Sequence, residues 1–164
     1  MKNKFVNAYM EVAKTFAGLS SAQRLHVGAI IVKDDRIISI GYNGMPSGWE
    51  NCCENKVYMQ PEDTKMRVPG ELEKIFPYED EKGRYRLKSK PEVLHAETNA
   101  IAKLARSPES GEGATIFVTH APCIDCAKLI YQSGITSVYY NEEYRSTQGL
   151  EFLANSGISI TKVD

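Results

Sequence analysis

The sequence predicts an α/β domain in which a five-stranded mixed sheet lies between two helical layers, and three observations lead there. A helical hydrophobic period near the N-terminus is followed by two β-rich runs joined by a short polar turn. From residue 114 to residue 161, strand-like and helix-like segments alternate, which calls for parallel strands joined by right-handed crossovers. The length of 164 residues suits one such domain with a full core, spanning 1–164.

Each element has its own warrant. Phe5, Val6, Tyr9, Val12, Ala13 and Phe16 recur at helical spacing, and Gly18 closes that helix. Residues 27–32 and 37–42 are β-rich, and the polar turn between them makes an antiparallel hairpin. Residues 98–105 read as a buried helix opened by His95-Ala96-Glu97. Then come a strand at 114–119, a helix at 122–133, a strand at 137–140, a helix near 146–155 and a last strand at 158–161.

Residues 44–94 break this rhythm. They hold Pro46, Pro61, Pro69, Pro77 and Pro91, are dense in charge, and contain no convincing strand. So long a connection in a compact domain is usually functional or disordered. Met59, Val68, Leu72, Ile75, Phe76, Tyr78 and Leu87 are too many apolar residues for disorder, and 71–76 is expected as a short helix. The segment is read as an insertion that covers the site or builds a subunit contact.

Composition excludes several functions. Twenty basic and 21 acidic residues give a formal charge of −1, so the chain lacks the basic field that holds a long nucleic acid. Nothing near Met1 resembles a signal peptide and no stretch approaches 18 apolar residues, so no membrane association and a cytoplasmic location are expected. The four cysteines fit a reducing compartment, since two are adjacent and two form a Cys-x-x-Cys.

The chemistry is concentrated in His95-Ala96-Glu97 and Pro122-Cys123-Ile124-Asp125-Cys126. His95, Cys123 and Cys126 are three ligands of the kind zinc takes, and three without a fourth leave the open position that a catalytic zinc needs. Pro122 suits the first turn of a helix, which sets Cys123 and Cys126 one turn apart at its N-terminal end, where free N–H groups favour thiolates. His95 and Glu97 are two apart and cannot share a lateral helix face, so they must meet the metal end-on, with two helix N-termini converging. Glu97 is then the carboxylate that moves protons. A structural zinc knot would need a fourth ligand from His26, His120, Cys52 or Cys53, and a redox Cys-x-x-Cys would leave His95 and Glu97 without a role.

The segments 27–32, 36–38 and Gly41-Tyr42-Asn43-Gly44-Met45-Pro46, with His95-Ala96-Glu97-Thr98-Asn99-Ala100-Ile101 and the run from Pro122 to Ile130, resemble the zinc-dependent cytidine and deoxycytidylate deaminases. The resemblance runs over most of 24–144. Asn51-Cys52-Cys53 and Glu112-Gly113-Ala114-Thr115 are similar to the bacteriophage-type deoxycytidylate enzymes in particular. It implies the three-layer α/β/α cytidine-deaminase-like fold and hydrolysis of dCMP to dUMP and ammonia, supplying dUMP for thymidylate synthesis. It also implies one catalytic Zn2+ per chain, a homohexamer, activation by dCTP and inhibition by dTTP, with Mg2+ accompanying the triphosphate.

The resemblance carries site roles as well. It implies a substrate site drawing on Asn43, Ala121 and Tyr144, and an effector site drawing on Arg24, Gly41, Tyr42, Gly44 and Arg106. Asn43 is read either as a partner of a sugar hydroxyl or as the Asn of an Asn-Gly turn. Tyr144 is read either as a donor to the 5′-phosphate or as packing. Arg106 either complements a helix dipole or reaches a neighbouring subunit. Some phage relatives carry a second zinc, but Ser20, Ser21, Ala22 and Gln23 stand in its first region and 44–94 holds no His, so Cys52 and Cys53 are expected as reduced, buried thiols. A deaminase of another amine, such as a tRNA adenosine or a pterin-like ring, and a non-catalytic zinc-stabilised module are the alternatives.

Overall fold

A computed structural model of the chain describes residues 1–65 and 69–164. Helix α1 (Asn3–Ala17) leads into the hairpin of β1 (Gly28–Lys33) and β2 (Arg36–Tyr42). After the insertion come α4 (Ala96–Leu104), β6 (Thr115–His120), α5 (Ile124–Gln132), β7 (Ser137–Glu142), α6 (Gln148–Asn155) and β8 (Ser159–Lys162). The main sheet has five strands in the order β2-β1-β6-β7-β8. The β1 strand runs antiparallel to both β2 and β6, while β6, β7 and β8 are parallel. The expected mixed sheet is therefore present.

Strand alternation sorts the core into two layers, because successive side chains point to opposite faces. Ile30, Val32 and Phe117 face α1 and pack with its Val6, Met10 and Ala13. Ala29, Ile31, Ile116, Val118 and Val138 face the other way and pack with Ala96, Ala100 and Leu104 of α4, Ala127 and Ile130 of α5, and Leu153 of α6. The two faces give the α/β/α layering.

Helix α4 lies close against β2. A Cβ built on Gly41 would sit 2.1 Å from the Ala96 carbonyl oxygen and 2.6 Å from the Ala100 nitrogen, so the approach requires glycine at that position. Two side-chain bonds fix the same contact: the Ser39 hydroxyl donates to the Ala100 carbonyl at 2.6 Å and the Asn99 amide donates to the Tyr42 carbonyl at 3.0 Å. The N-terminus of α4 is thereby set at the end of the sheet.

The insertion differs from its expected form. It contains strands β3 (Glu54–Tyr58), β4 (Tyr78–Asp80) and β5 (Gly83–Ser89), which pair antiparallel as a second sheet in the order β3-β5-β4. Short helices α2 (Pro61–Lys65) and α3 (Pro69–Ile75) connect β3 to β4, and α3 covers most of the helix expected at 71–76. Val68, counted among the apolar residues of the insertion, lies outside the described residues. This sheet was illegible because Glu54 is the one buried residue of its strands, so the apolar alternation that marks a strand is weak. What holds it is lateral: Tyr85 packs against Tyr58 and Tyr78 at 5.5 Å each, and Lys56 lies over the Tyr85 ring while bonding Asp80 at 2.6 Å. Gly44 and Leu94 exchange two backbone hydrogen bonds, of 3.1 and 2.9 Å, so both ends of the insertion are tied together.

Gly41→Ala should cost about 2–3 kcal/mol or more by overpacking and lower Tm by roughly 5–10 °C. Gly70→Ala in α3, where nothing lies within 4 Å of an added Cβ, should leave Tm nearly where it is. Calorimetry of the two variants checks the contrast.

Candidate active site

Two helix N-termini meet at the carboxyl end of the sheet. His95 is the N-cap of α4 and Cys123 the N-cap of α5, and Cys126 is the third residue of that helix. Pro122 does not occupy the first turn as expected, because the cysteine takes the cap and the proline precedes it. His95 Nδ1 lies 3.5 Å from Cys123 Sγ and 3.4 Å from Cys126 Sγ, and the three ligand atoms are all within 4.8 Å of one another. Nitrogen and sulfur at ordinary zinc distances in a tetrahedron are about 3.6 Å apart, so the donor set fits that ion.

The electrostatics agree. The bond from Cys126, helped by His95, holds the Cys123 thiol down at about 4 against the effect of burial. Cys126 is pushed up, first by its bond with Cys123 and then by burial. The two sulfurs share what charge they carry, and a dication between them is what lets both be thiolates. Among the described residues no fourth His, Cys or acid joins the cluster. His26 Nε2 lies 2.7 Å from the Ala22 carbonyl, and Cys53 Sγ lies 3.4 Å from the Ser21 hydroxyl. Cys53 is buried as expected, but Cys52 is exposed, with its thiol 3.5 Å from the Glu54 carbonyl.

Glu97 is only 4% exposed. Burial pushes its carboxyl up to about 7, against the opposing pull of its own backbone N–H and of His95. The rise from 4.5 to about 7 corresponds to roughly 3 kcal/mol of preference for the protonated form. A carboxyl poised near neutrality next to a three-ligand cluster is equipped to take and return a proton.

The cluster opens into a cavity of about 720 Å³ that His95, Glu97, Ala121, Asn43 and Tyr144 help to line. All three residues expected at a substrate site are therefore in its wall. The side chain of Asn43 accepts from the Val27 N–H and donates to the Leu25 carbonyl, each at 2.8 Å, so it braces residues 25–27 rather than an Asn-Gly turn. The Ala121 N–H is spent on the Glu142 carbonyl at 2.8 Å. Tyr144 packs on the core while facing the cavity, with Arg145 5.4 Å from its ring.

The five residues expected at an effector site stand on three segments of the chain, at 24, 41–44 and 106. Arg24 lines the same cavity as the cluster, whereas Gly41 is buried against α4. Gly44 is buried in its bridge with Leu94, and the ring of Tyr42 lies 5.4 Å from the Lys103 amine. Arg106 follows the C-terminal end of α4, a helix length of about 14 Å from the N-terminal end that faces the cavity. Sequence reasoning missed Glu54, Lys88, Lys90 and Arg145, which also line the cavity, and considered His120, also in its wall, only as a fourth zinc ligand.

A family profile described as the cytidine and deoxycytidylate deaminase zinc-binding region matches residues 3–142. The chain belongs to that family. Within the deaminases, it is 38% identical over 151 residues to the deoxycytidylate deaminase of Enterobacteria phage T4, covering 84% of this chain and 78% of the relative. It is 34% identical over 140 residues to the deoxycytidylate deaminase of Homo sapiens, covering 80% and 61%. The crystal structure of the dCMP deaminase from cyanophage S-TIM5 in complex with dCMP and dUMP superposes with a TM-score of 0.77 at 39% identity, covering 99% of both chains.

Elemental analysis should find one zinc per wild-type chain, and His95→Ala and Cys123→Ala should lose it. Glu97→Gln should keep the metal while turnover falls roughly 10²–10⁴-fold, because the amide preserves size but carries no proton. Zinc retained in both ligand variants, or near-normal turnover in Glu97→Gln, would contradict the assignment.

Proposed function

We propose that the chain hydrolyses dCMP to dUMP and ammonia, and the observation that carries this is the buried Glu97 carboxyl beside the His95, Cys123 and Cys126 cluster at a nucleotide-sized cavity. The names of the T4 and human relatives and of the dCMP-bound cyanophage structure support the choice of substrate. When bound, zinc supplies a Lewis acid that makes water nucleophilic near neutral pH. Glu97 takes the proton of the attacking water at its carboxylate and delivers it to ring N3, then collects the proton of the new C4 hydroxyl and passes it to the amine at C4, leaving a carbonyl there. The C4–O bond forms, the C4–N bond breaks, and neutral ammonia leaves, so one carboxyl serves both halves of the reaction. Burial keeps that carboxyl near the pKa at which it both accepts and donates.

Cations at the cavity rim suit the 5′-phosphate. Arg24, Lys88 and Lys90 stand on the side of the insertion, and Tyr144 and Arg145 on the side of α6. A homohexamer activated by dCTP and inhibited by dTTP, at work in the cytoplasm, is the assembly, control and setting proposed with this activity, and the support for them is resemblance. Among the described residues no helix is long and apolar enough to cross a membrane.

Ammonia release from cytidine, deoxycytidine, CMP, dCMP and dCTP tests the reading. The kcat/KM for dCMP should exceed that for deoxycytidine by a hundredfold or more, from roughly 3 kcal/mol or more of charge-assisted phosphate contacts. Equal values would mark a nucleoside deaminase and remove the phosphate roles. The same assay with dCTP and dTTP added should show a sigmoidal dCMP dependence made hyperbolic by dCTP, whereas a hyperbolic monomer indifferent to both would remove the regulation and keep the deaminase.

A further inference from the structure

The connection between α1 and β1 carries Arg24 into the cavity and is braced along its length. Asn43 holds residues 25 and 27, and His26 meets the Ala22 carbonyl. The remaining brace comes from the insertion. Glu54, 7% exposed, accepts the backbone N–H groups of Gln23 and Arg24 on one carboxylate oxygen, at 3.0 and 3.2 Å. Its cross-strand partner in β5 is Ser89, whose hydroxyl accepts from the Arg24 guanidinium at 3.2 Å. One β-pair therefore grips Arg24 at both ends, backbone and head group.

The charges around this grip are unbalanced. A buried carboxyl group needs hydrogen-bond partners, and Glu54 takes two backbone N–H groups on Oε1 in that role. Among the described residues, neither Glu54 nor Arg24, Lys88 or Lys90 joins an ion pair. Three cations thus line one end of the cavity, with the nearby acid turned towards the backbone. A dianionic phosphate monoester fits that end, and a guanidinium held from one side by a neutral hydroxyl keeps its other N–H groups free for it.

We propose that the Glu54–Ser89 pair of the inserted sheet presents Arg24 to the 5′-phosphate of the substrate, so that Arg24 is a substrate contact and Glu54 and Ser89 are positioning residues. This rests on the proposed deamination of dCMP. It gives the insertion a task within the catalytic cavity, and it assigns Arg24 to the substrate instead of a separate effector site.

The test uses the zinc-loaded full chain, steady-state kinetics with dCMP and deoxycytidine, and calorimetric affinity for dUMP as a readout independent of turnover. Arg24→Ala should raise KM for dCMP and Kd for dUMP by roughly 10–100-fold with a much smaller effect on kcat, and should lower kcat/KM for dCMP far more than for deoxycytidine. Ser89→Ala, a mild surface change, should raise the same two constants roughly 3–10-fold. Glu54→Ala should do likewise, while Glu54→Gln, which keeps an accepting oxygen, should recover most of the loss. In the Arg24→Ala background, Ser89→Ala should add little, because the two residues act through one contact.

A full additional loss from Ser89→Ala in that background, or equal losses for dCMP and deoxycytidine, would overturn the clamp and leave only packing. Arg24→Ala with an unchanged KM for dCMP but no response to dCTP would overturn it in favour of an effector contact. Absence of dCMP turnover in the wild-type chain would sink the deaminase reading itself, and the clamp with it.

Discussion

The close seating of α4 on β2 is the constraint from which the rest of the site follows. With no side chain at Gly41, the helix backbone comes down onto the strand, and its first turn ends where the sheet ends. A second close contact sets the other half: a Cβ on Gly149 of α6 would lie 2.0 Å from the Pro122 carbonyl oxygen, so α6 packs directly on the segment that carries Cys123. Two ligand-bearing helix ends are then held face to face by backbone geometry. The side chains at those ends have little freedom left.

Closure of the two ends explains the state of Glu97. It lies on the first turn of α4, below the ligands and out of water, so its carboxyl is raised by burial while the imidazole and backbone N–H partly restrain the rise. The same closure binds the sulfurs to each other and to His95. The ligand cluster and the raised Glu97 carboxyl are thus consequences of one packing arrangement. The rest of the cavity wall is built separately, from Ala22, Arg24 and Leu25, the inserted sheet and the loop after β7.

What was legible in the sequence follows this division. The five-stranded sheet, its hairpin and its parallel crossovers could be read because β1 and β6 are buried and β7 alternates, which leaves apolar patterns, while β8 continues the alternation of helix and strand. His95, Glu97, Cys123 and Cys126 could be read because zinc and proton transfer restrict residue type and spacing so tightly. The inserted sheet could not, since tyrosine stacking and Lys56–Asp80 pairing, which hold it, leave no hydrophobic period. Glu54 stayed hidden for a related reason. Nothing in one sequence says that a glutamate thirty residues on will take the N–H of Arg24, whereas the β3–β5 register makes the Glu54–Ser89 pair plain.

The account rests most directly on Glu97 being dry and therefore protonated up to near neutral pH. Isotope-edited infrared or 13C NMR of the glutamate carboxyls, compared between the chain and Glu97→Gln after chelator treatment, isolates that one group. The account predicts a difference signal that titrates at about 7, with the folded chain holding a proton between pH 4.5 and 7 that the unfolded chain has lost. A midpoint at the ordinary value of 4.5 would contradict it, since the carboxyl would then be solvated and the two helix ends would not be closed around it.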